Sequence, residues 1–233
     1  MRVLALDAAT EACSVALLCE GEVLVRSLES GKGHAQQLLA MVEQVMAEGQ
    51  LSLSKLDGIA ASVGPGAFSG VRISVAVAQG LAFGADLKVV PVTTLQALAM
   101  QVPPEAGAHV VACLDARMSE VYWGCFAVDA LRGMIEVLGP GVAAPDAVLR
   151  EIAGGPFGRY LGIGRGFSAY PALEAIAGLE IDAQRRLALP NAREFACLGK
   201  LKLGAGGGID PVDLQPVYLR DKVALTEAER AAQ

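Results

Sequence analysis

The stretch of this chain best suited to chemistry is Gly64-Pro65-Gly66-Ala67-Phe68-Ser69-Gly70. An apolar run, Ile59 to Val63, precedes it, and a helix-length segment, Val71 to Ala85, follows with no breaker until Asp86. Gly64, Gly66 and Gly70 can take positive φ or remove a Cβ from the path, and Pro65 fixes one φ between two of them. Two readings stand side by side. Free N–H groups in such a turn at a helix N-terminus bind an anion; equally, glycine there serves only the geometry of a strand-to-helix connection. The turn lacks the Lys and Ser/Thr pair of a P-loop. Ser69, His34 and Asp115 can be put together on paper as a nucleophilic triad, because triads recur in several chain orders. Ser69, however, does not sit in G-x-S-x-G. The chain has two histidines, His34 and His109. His34 has Gln37 at i+3 and Leu38 at i+4, and a stable metal site usually needs three or four ligands, so no metal is expected. Five cysteines, an odd number with no C-x-x-C spacing, read as reduced core thiols.

The elements around the turn read in order as βββαβαβα over the first hundred residues. Val3 to Leu6 is a strand ending in Asp7; Cys13–Cys19 and Glu22–Leu28 complete an antiparallel meander through a tight turn at Gly21. Ser30-Gly31-Lys32-Gly33 breaks it. His34 to Glu48 is an amphipathic helix with Leu38, Leu39, Met41, Val42, Val45 and Met46 on its apolar stripe. The glycine turn and its helix follow, then a strand at Lys88–Val92 and a helix capped by Thr93-Thr94. Helical crossovers imply parallel pairing for the later strands. Pro103-Pro104 marks a linker, dividing the chain into lobes at 1–104 and 105–233, the second smaller in content. That second half begins like the first: His109 to Asp115 is a strand ending in an acid, Arg117–Glu120 a turn, Val121–Val128 and Arg132–Leu138 two more strands. Helices are expected near Pro145–Ile152 and Asn191–Leu203, whereas Tyr160–Ile181 shows no clear period. The final Pro216–Arg220 is extended, and the last residues are expected to fray.

Residue content narrows the classes. The 233 residues carry a net charge of −6, split evenly between 1–101 and 102–233, so neither half is a basic footprint for nucleic acid. Apolar residues make up 53% and mean hydropathy is +0.45, yet the uninterrupted apolar runs are short for a membrane span and no signal-peptide pattern opens the chain. A cytoplasmic protein without membrane association is expected. The apolar excess instead points to burial shared with another subunit. The helix after the glycine turn supports this. Arg72, Ala76, Gln79 and Phe83 share one face, Val71, Val75, Ala78 and Ala82 the opposite one. A helix apolar nearly all round is buried on both sides. Ala76, Gly80 and Gly84 form a row of small residues that lets another helix approach.

Two lobes that each open strand–acid–turn–strand–strand resemble the actin/Hsp70/sugar-kinase superfamily. The expected fold class is therefore α/β, with two actin-like (ASKHA, ribonuclease H-like) lobes, each built on a mixed sheet that opens in an antiparallel meander. In that superfamily ATP sits between the lobes and strand-end acids such as Asp7 and Asp115 hold Mg²⁺-bound water. More specifically, the chain resembles the bacterial TsaB (YeaZ) family. Leu6-Asp7-Ala8-Ala9-Thr10 is similar to that family's L-D-T-A-T, Gly64–Arg72 to its G-P-G-S-F-T-G-V-R, Leu114–Tyr122 to its I-D-A-R-x-G-E-V-Y, and Pro216–Arg220 to its P-x-Y-L-R. Ala8, Ala67 and Ser69 depart from the Thr, Ser and Thr of those patterns. The resemblance implies a role in placing threonylcarbamoyl on N6 of adenosine 37 in ANN-decoding tRNAs, as the non-catalytic companion of the TsaD transferase, with TsaE as ATPase and TsaC-type enzymes supplying the adenylate. No cofactor and no catalytic residue is expected in this chain, and tRNA is met only within the complex. The interface with TsaD, or with a second copy, is expected at Leu38, Met41, Val45, Arg72, Ala76, Gln79, Gly80 and Phe83. A vestigial ATPase cleft is expected at Asp7, Thr10, Gly64, Gly66, Gly70, Asp115, Arg117 and Glu120, the second turn obstructed because Ala116-Arg117-Met118 has no glycine. Arg117 and Glu120 are expected to pair or cap the hairpin. The alternatives are an ATP-dependent enzyme of the same fold and a peptidase.

Overall fold

The computed structural model describes residues 1–29, 34–103, 105, 108–129, 133–155 and 158–220; the expected breaks at Ser30–Gly33 and Pro104 and the terminal segment lie outside them. The first lobe runs β1 (Val3–Asp7), β2 (Ala12–Cys19), β3 (Glu22–Glu29), α1 (His34–Glu48), β4 (Gly58–Ser62), α2 (Phe68–Ala85), β5 (Val89–Val92) and α3 (Thr94–Met100). Its sheet has the order β3-β2-β1-β4-β5. The first three strands pair antiparallel, and β4 and β5 join in parallel, as the crossovers require. Glu20 and Gly21, with φ of 54° and 95°, make the two-residue hairpin between β2 and β3. Asp86, left-handed at φ 55°, closes α2, and the Thr93 hydroxyl accepts from the Gln96 N–H to cap α3.

The second lobe repeats the plan: β6 (His109–Asp115), β7 (Val121–Asp129), β8 (Gly133–Ala143), α4 (Pro145–Ala153), β9 (Tyr160–Ile163), α5 (Arg165–Ala169), β10 (Leu179–Glu180), α6 (Ala183–Arg186) and α7 (Ala192–Gly204). Its sheet order is β10-β9-β6-β7-β8, antiparallel from β6 through β8 and parallel at β6–β9–β10. The segment without a sequence period resolves into β9, a short helix, a 3-10 turn and β10.

Side-chain alternation builds the core. Leu4 and Leu6 of β1 face α1 and α2, while Val3 and Ala5 face α7. All of β1 is consequently buried. Gly199 of α7 rides so close to β4 that a Cβ there would sit 2.6 Å from the Ala60 Cβ. This packing crosses the 104/105 boundary. Helix α7 covers the first sheet, Ile209 pairs with Val89, and the Val217 N–H donates to Val63 O. In exchange, Leu95, Leu98 and Ala99 of α3 fill the core of the second sheet. Each lobe completes the other, because without α7 the Val3, Ala5, Ala60 and Val90 face would lie open. Helix α2 is long and apolar enough, by length and composition, to cross a membrane. Here it lies against the first sheet, with Val71, Val75, Ala78 and Ala82 in the core.

Candidate interlobe cleft and helix surface

A cleft of about 510 Å³ opens between the lobes. Four segments wall it: the β1–β2 turn (Ala9, Thr10, Glu11), the glycine turn, the β6–β7 turn from Asp115 to Met118, and Val217 to Arg220.

The glycine turn is docked on the β1–β2 turn. The Ala67 N–H donates to Ala9 O at 2.7 Å, and the Ser74 hydroxyl accepts from the Ala8 N–H at 2.8 Å. A Cβ on Gly66 would lie 2.2 Å from Ala9 O, and one on Gly70 2.0 Å from Ala8 O. Gly64 takes φ 96° and stands behind the cleft wall. Of the two readings of this motif, close approach of chain to chain accounts for Gly66 and Gly70, and one amide that an anion would need is occupied.

That docking seals Asp7. The carboxyl is fully buried and does not line the cleft. Its Oδ1 accepts from the Ala9 N–H at 3.0 Å, while Oδ2 has no hydrogen-bond partner. Burial pushes its pKa up to about 6, against the opposing pull of the Ala9 N–H and Ser62. Asp7 therefore stands behind the cleft wall, with no open path from its carboxyl to the cleft. Thr10 does line the cleft, and its hydroxyl accepts from the Ala12 N–H at 3.4 Å.

Asp115 lies on the opposite wall and is partly open. Its Oδ1 accepts from the Arg117 N–H at 2.8 Å and from the Tyr170 hydroxyl at 3.3 Å; its Oδ2 pairs with Arg117 Nη1 at 2.9 Å. Arg117 also reaches across to Glu11 of the first lobe at 3.6 Å. The Glu120 side chain pairs with Arg220, while the Glu120 N–H donates to Arg117 O at 3.1 Å and closes the turn. Arg117, Met118 and Ser119 have φ of 61°, 55° and 58°, three consecutive left-handed residues without a glycine. His34, Ser69 and Asp115 all border the cleft, but no relay links them. His34 Nε2 has no hydrogen-bond partner, and Asp115 is occupied by Arg117 and Tyr170. No group of three or more His, Cys, Asp or Glu among the described residues is placed to hold a metal. The five cysteines are free thiols; burial pushes Cys13 and Cys125 up to about 12 and raises Cys113 further.

On the far side of α2 the expected contact residues separate. Leu38, Met41 and Val45 are buried in the lobe's own core, turned inward because α1 packs its stripe on β2 and α2; Leu39 is the large apolar residue α1 exposes. Gln79 donates from Nε2 to Pro211 O at 2.9 Å and Leu214 O at 3.1 Å. Arg72 donates from Nε to the Tyr218 hydroxyl at 2.7 Å and stacks 3.7 Å over the Phe68 ring. Both thus serve the returning C-terminal segment, which the sequence flagged only as extended. Ala76, Gly80, Phe83 and Gly84 remain outward: Phe83 is 85% exposed, and a Cβ on Gly80 or Gly84 would meet nothing within 4 Å.

Two meander-plus-crossover sheets, exchanging helices and facing each other across a cleft, define an actin-like, ribonuclease H-like fold. The solved structure described as "YeaZ from Pseudomonas aeruginosa" matches over 94% of this chain and 99% of its own, at 38% identity and a TM-score of 0.82. A second, described as an uncharacterized Pseudomonas aeruginosa protein with similarity to peptidase YEAZ, matches at 39% and 0.82 over the same shares. A family model described as "TsaD: tRNA N6-adenosine threonylcarbamoyltransferase" matches residues 28–226. Relatives named tRNA threonylcarbamoyladenosine biosynthesis protein TsaB are similar along nearly the whole length. That of Escherichia coli is 35% identical over 96% of each chain, and that of Haemophilus influenzae 34% over 96% of this chain and 95% of its own. The chain belongs to the TsaB (YeaZ) family.

Proposed function

We propose that this chain works in tRNA threonylcarbamoyladenosine biosynthesis as the non-catalytic companion of a TsaD-type transferase, docking through the outward face of α2. The observation that carries this reading is that face: Ala76, Gly80 and Gly84 form a smooth strip beside an almost fully exposed Phe83. A large apolar side chain beside a strip of small residues suits close helix packing. Two further features support it. The strand-end acid of the first lobe is sealed, its pKa raised by burial to about 6, and the glycine turn spends its closest approach on the β1–β2 turn. TsaE and tRNA are then met in the assembled complex, and a second copy of the chain can take the same face when TsaD is absent. The setting this implies is the cytoplasm.

The test is association. Gly80→Arg and Ala76→Arg should abolish co-sedimentation with TsaD and threonylcarbamoyl transfer by the reconstituted system, with an unchanged circular dichroism spectrum. An intact complex in either variant removes α2 as the docking surface. The volume of the cleft favours a second reading, an ATP-dependent enzyme; ATP turnover by the isolated chain at an enzyme-like rate would replace the first reading with it.

A further inference from the structure

The β6–β7 turn and the C-terminal segment form a device that the cleft chemistry leaves unused. A left-handed residue with a Cβ is strained, because the Cβ crowds the following carbonyl. Three in a row, Arg117, Met118 and Ser119, concentrate that strain at one point of the cleft rim. Something must hold the turn, and two sets of groups do so. Inside the turn, the Ala116 N–H donates to Glu120 O and the Glu120 N–H to Arg117 O. From outside comes Arg220, whose side chain is only 15% exposed. Its Nη1 donates to Ala116 O at 3.0 Å and lies 3.8 Å from the Met118 sulfur. Its Nη2 pairs with Glu120 and lies 3.5 Å from Arg117 O. Arg220 is carried by a strap rooted in the first lobe. Gln79 holds Pro211 and Leu214, the Val217 N–H donates to Val63 O, and the Tyr218 ring lies 5.7 Å from Phe68 and accepts from Arg72.

We propose that Arg220 is an interlobe latch: it holds the strained 117–119 turn in its left-handed form and ties the second lobe to the strap of the first, keeping the cleft closed on that side. Releasing it lets the turn relax toward right-handed φ and frees that rim of the cleft, while the root of the strap stays on α2. At the β6–β7 rim the Arg117–Glu11 pair is too exposed to fix the turn, with the arginine side chain 76% accessible, and the bidentate Arg165–Glu29 pair and the helix exchange join the lobes elsewhere.

Hydrogen exchange read by mass spectrometry on the full chain tests this. Arg220→Gln should speed exchange about tenfold in peptides covering 115–121 and 217–220, and leave 209–214 within about twofold, as a local opening does. Glu120→Gln removes the same pair from the other lobe, should give the same pattern, and keeps the test usable if Arg220→Gln does not fold. Repeating each in a Ser119→Gly background separates a latch on strain from an ordinary contact. With the Ser119 share of the strain relieved, the rise in 115–121 should shrink to about twofold. An equal rise in both backgrounds, no rise at all, or a rise that extends through 209–214 overturns the proposal.

Discussion

Asp7→Asn should make this protein more stable, with the full gain above about pH 6 and none below pH 3.8. The native carboxyl has a pKa of about 6 against an ordinary 3.8, chiefly because burial disfavours its charge. A raised acid pKa means the native state holds its proton more tightly than the unfolded chain does. The penalty is therefore fully present above pH 6. It shrinks as pH falls toward 3.8 and is absent below that, where both states are protonated. A difference of about two pH units at 1.36 kcal/mol each gives about 3 kcal/mol as the ceiling. Asparagine keeps an oxygen for the Ala9 N–H and adds an amide beside the orphaned Oδ2 position, so about 2 kcal/mol is a fair expectation at pH 8. For a chain of this size that raises Tm by about 4–8 °C. Scanning calorimetry of wild type and variant at pH 4, 5, 6, 7 and 8 measures the difference, and groups unaffected by the substitution cancel. The two curves should meet near pH 4 and separate through pH 6. A difference flat with pH, or a variant less stable at pH 8, would mean burial does not raise the Asp7 pKa, and the sealed-acid account of the first lobe would fail.

The glycines offer a contrast in sign. Gly66→Ala and Gly70→Ala place a Cβ within 2.2 and 2.0 Å of backbone oxygens, and each should cost about 1–3 kcal/mol in urea unfolding. Gly80→Ala, in open space on an exposed helix interior, should instead gain about 0.5–1 kcal/mol. Ser119→Gly alone should stabilise by about 1 kcal/mol, read the same way, because φ 58° carries no penalty for glycine.

Local order in this chain is written in local signals. The meander, the crossovers, Thr93 and Asn191 as helix caps and Asp86 as a stop all follow from periods and end residues within a few positions of the element they shape. What the sequence does not carry is the rotation of a helix about its axis. Leu38 and Leu39 share one apolar stripe, yet the first is buried and the second is 45% exposed. Only the direction from which the sheet meets α1 separates them, so a stripe wide enough to satisfy both a core and a partner cannot be divided by pattern. The same limit hid the helix exchange. Nothing within α7 or α3 states which sheet each will cover; that is decided by which apolar sheet face remains open when the rest of the lobe has formed.

The two strand-end acids show how far a repeated pattern can mislead. Asp7 and Asp115 occupy equivalent ends of equivalent strands, β1 and β6, and the sequence treats them alike. In the first lobe a glycine turn presses onto the β1–β2 turn and shuts water out, so burial raises the carboxyl's pKa to about 6. In the second lobe the equivalent glycine turn, which follows β9, presses Gly164 and Gly166 onto Cys113 of β6 and stops short of Asp115. The β6–β7 turn stays open to the cleft, twists left-handed to reach Asp115 with its own Arg117, and takes its outside support from Arg220, about a hundred positions later. The lobes thus solve one geometric problem, how to close a strand end at the cleft, by backbone docking in one case and by a long-range arginine in the other. Backbone docking is rigid and closes the site permanently, whereas an ion pair at a strained turn can be released. If the cleft changes shape during the protein's work, the second lobe's rim is the side that will move.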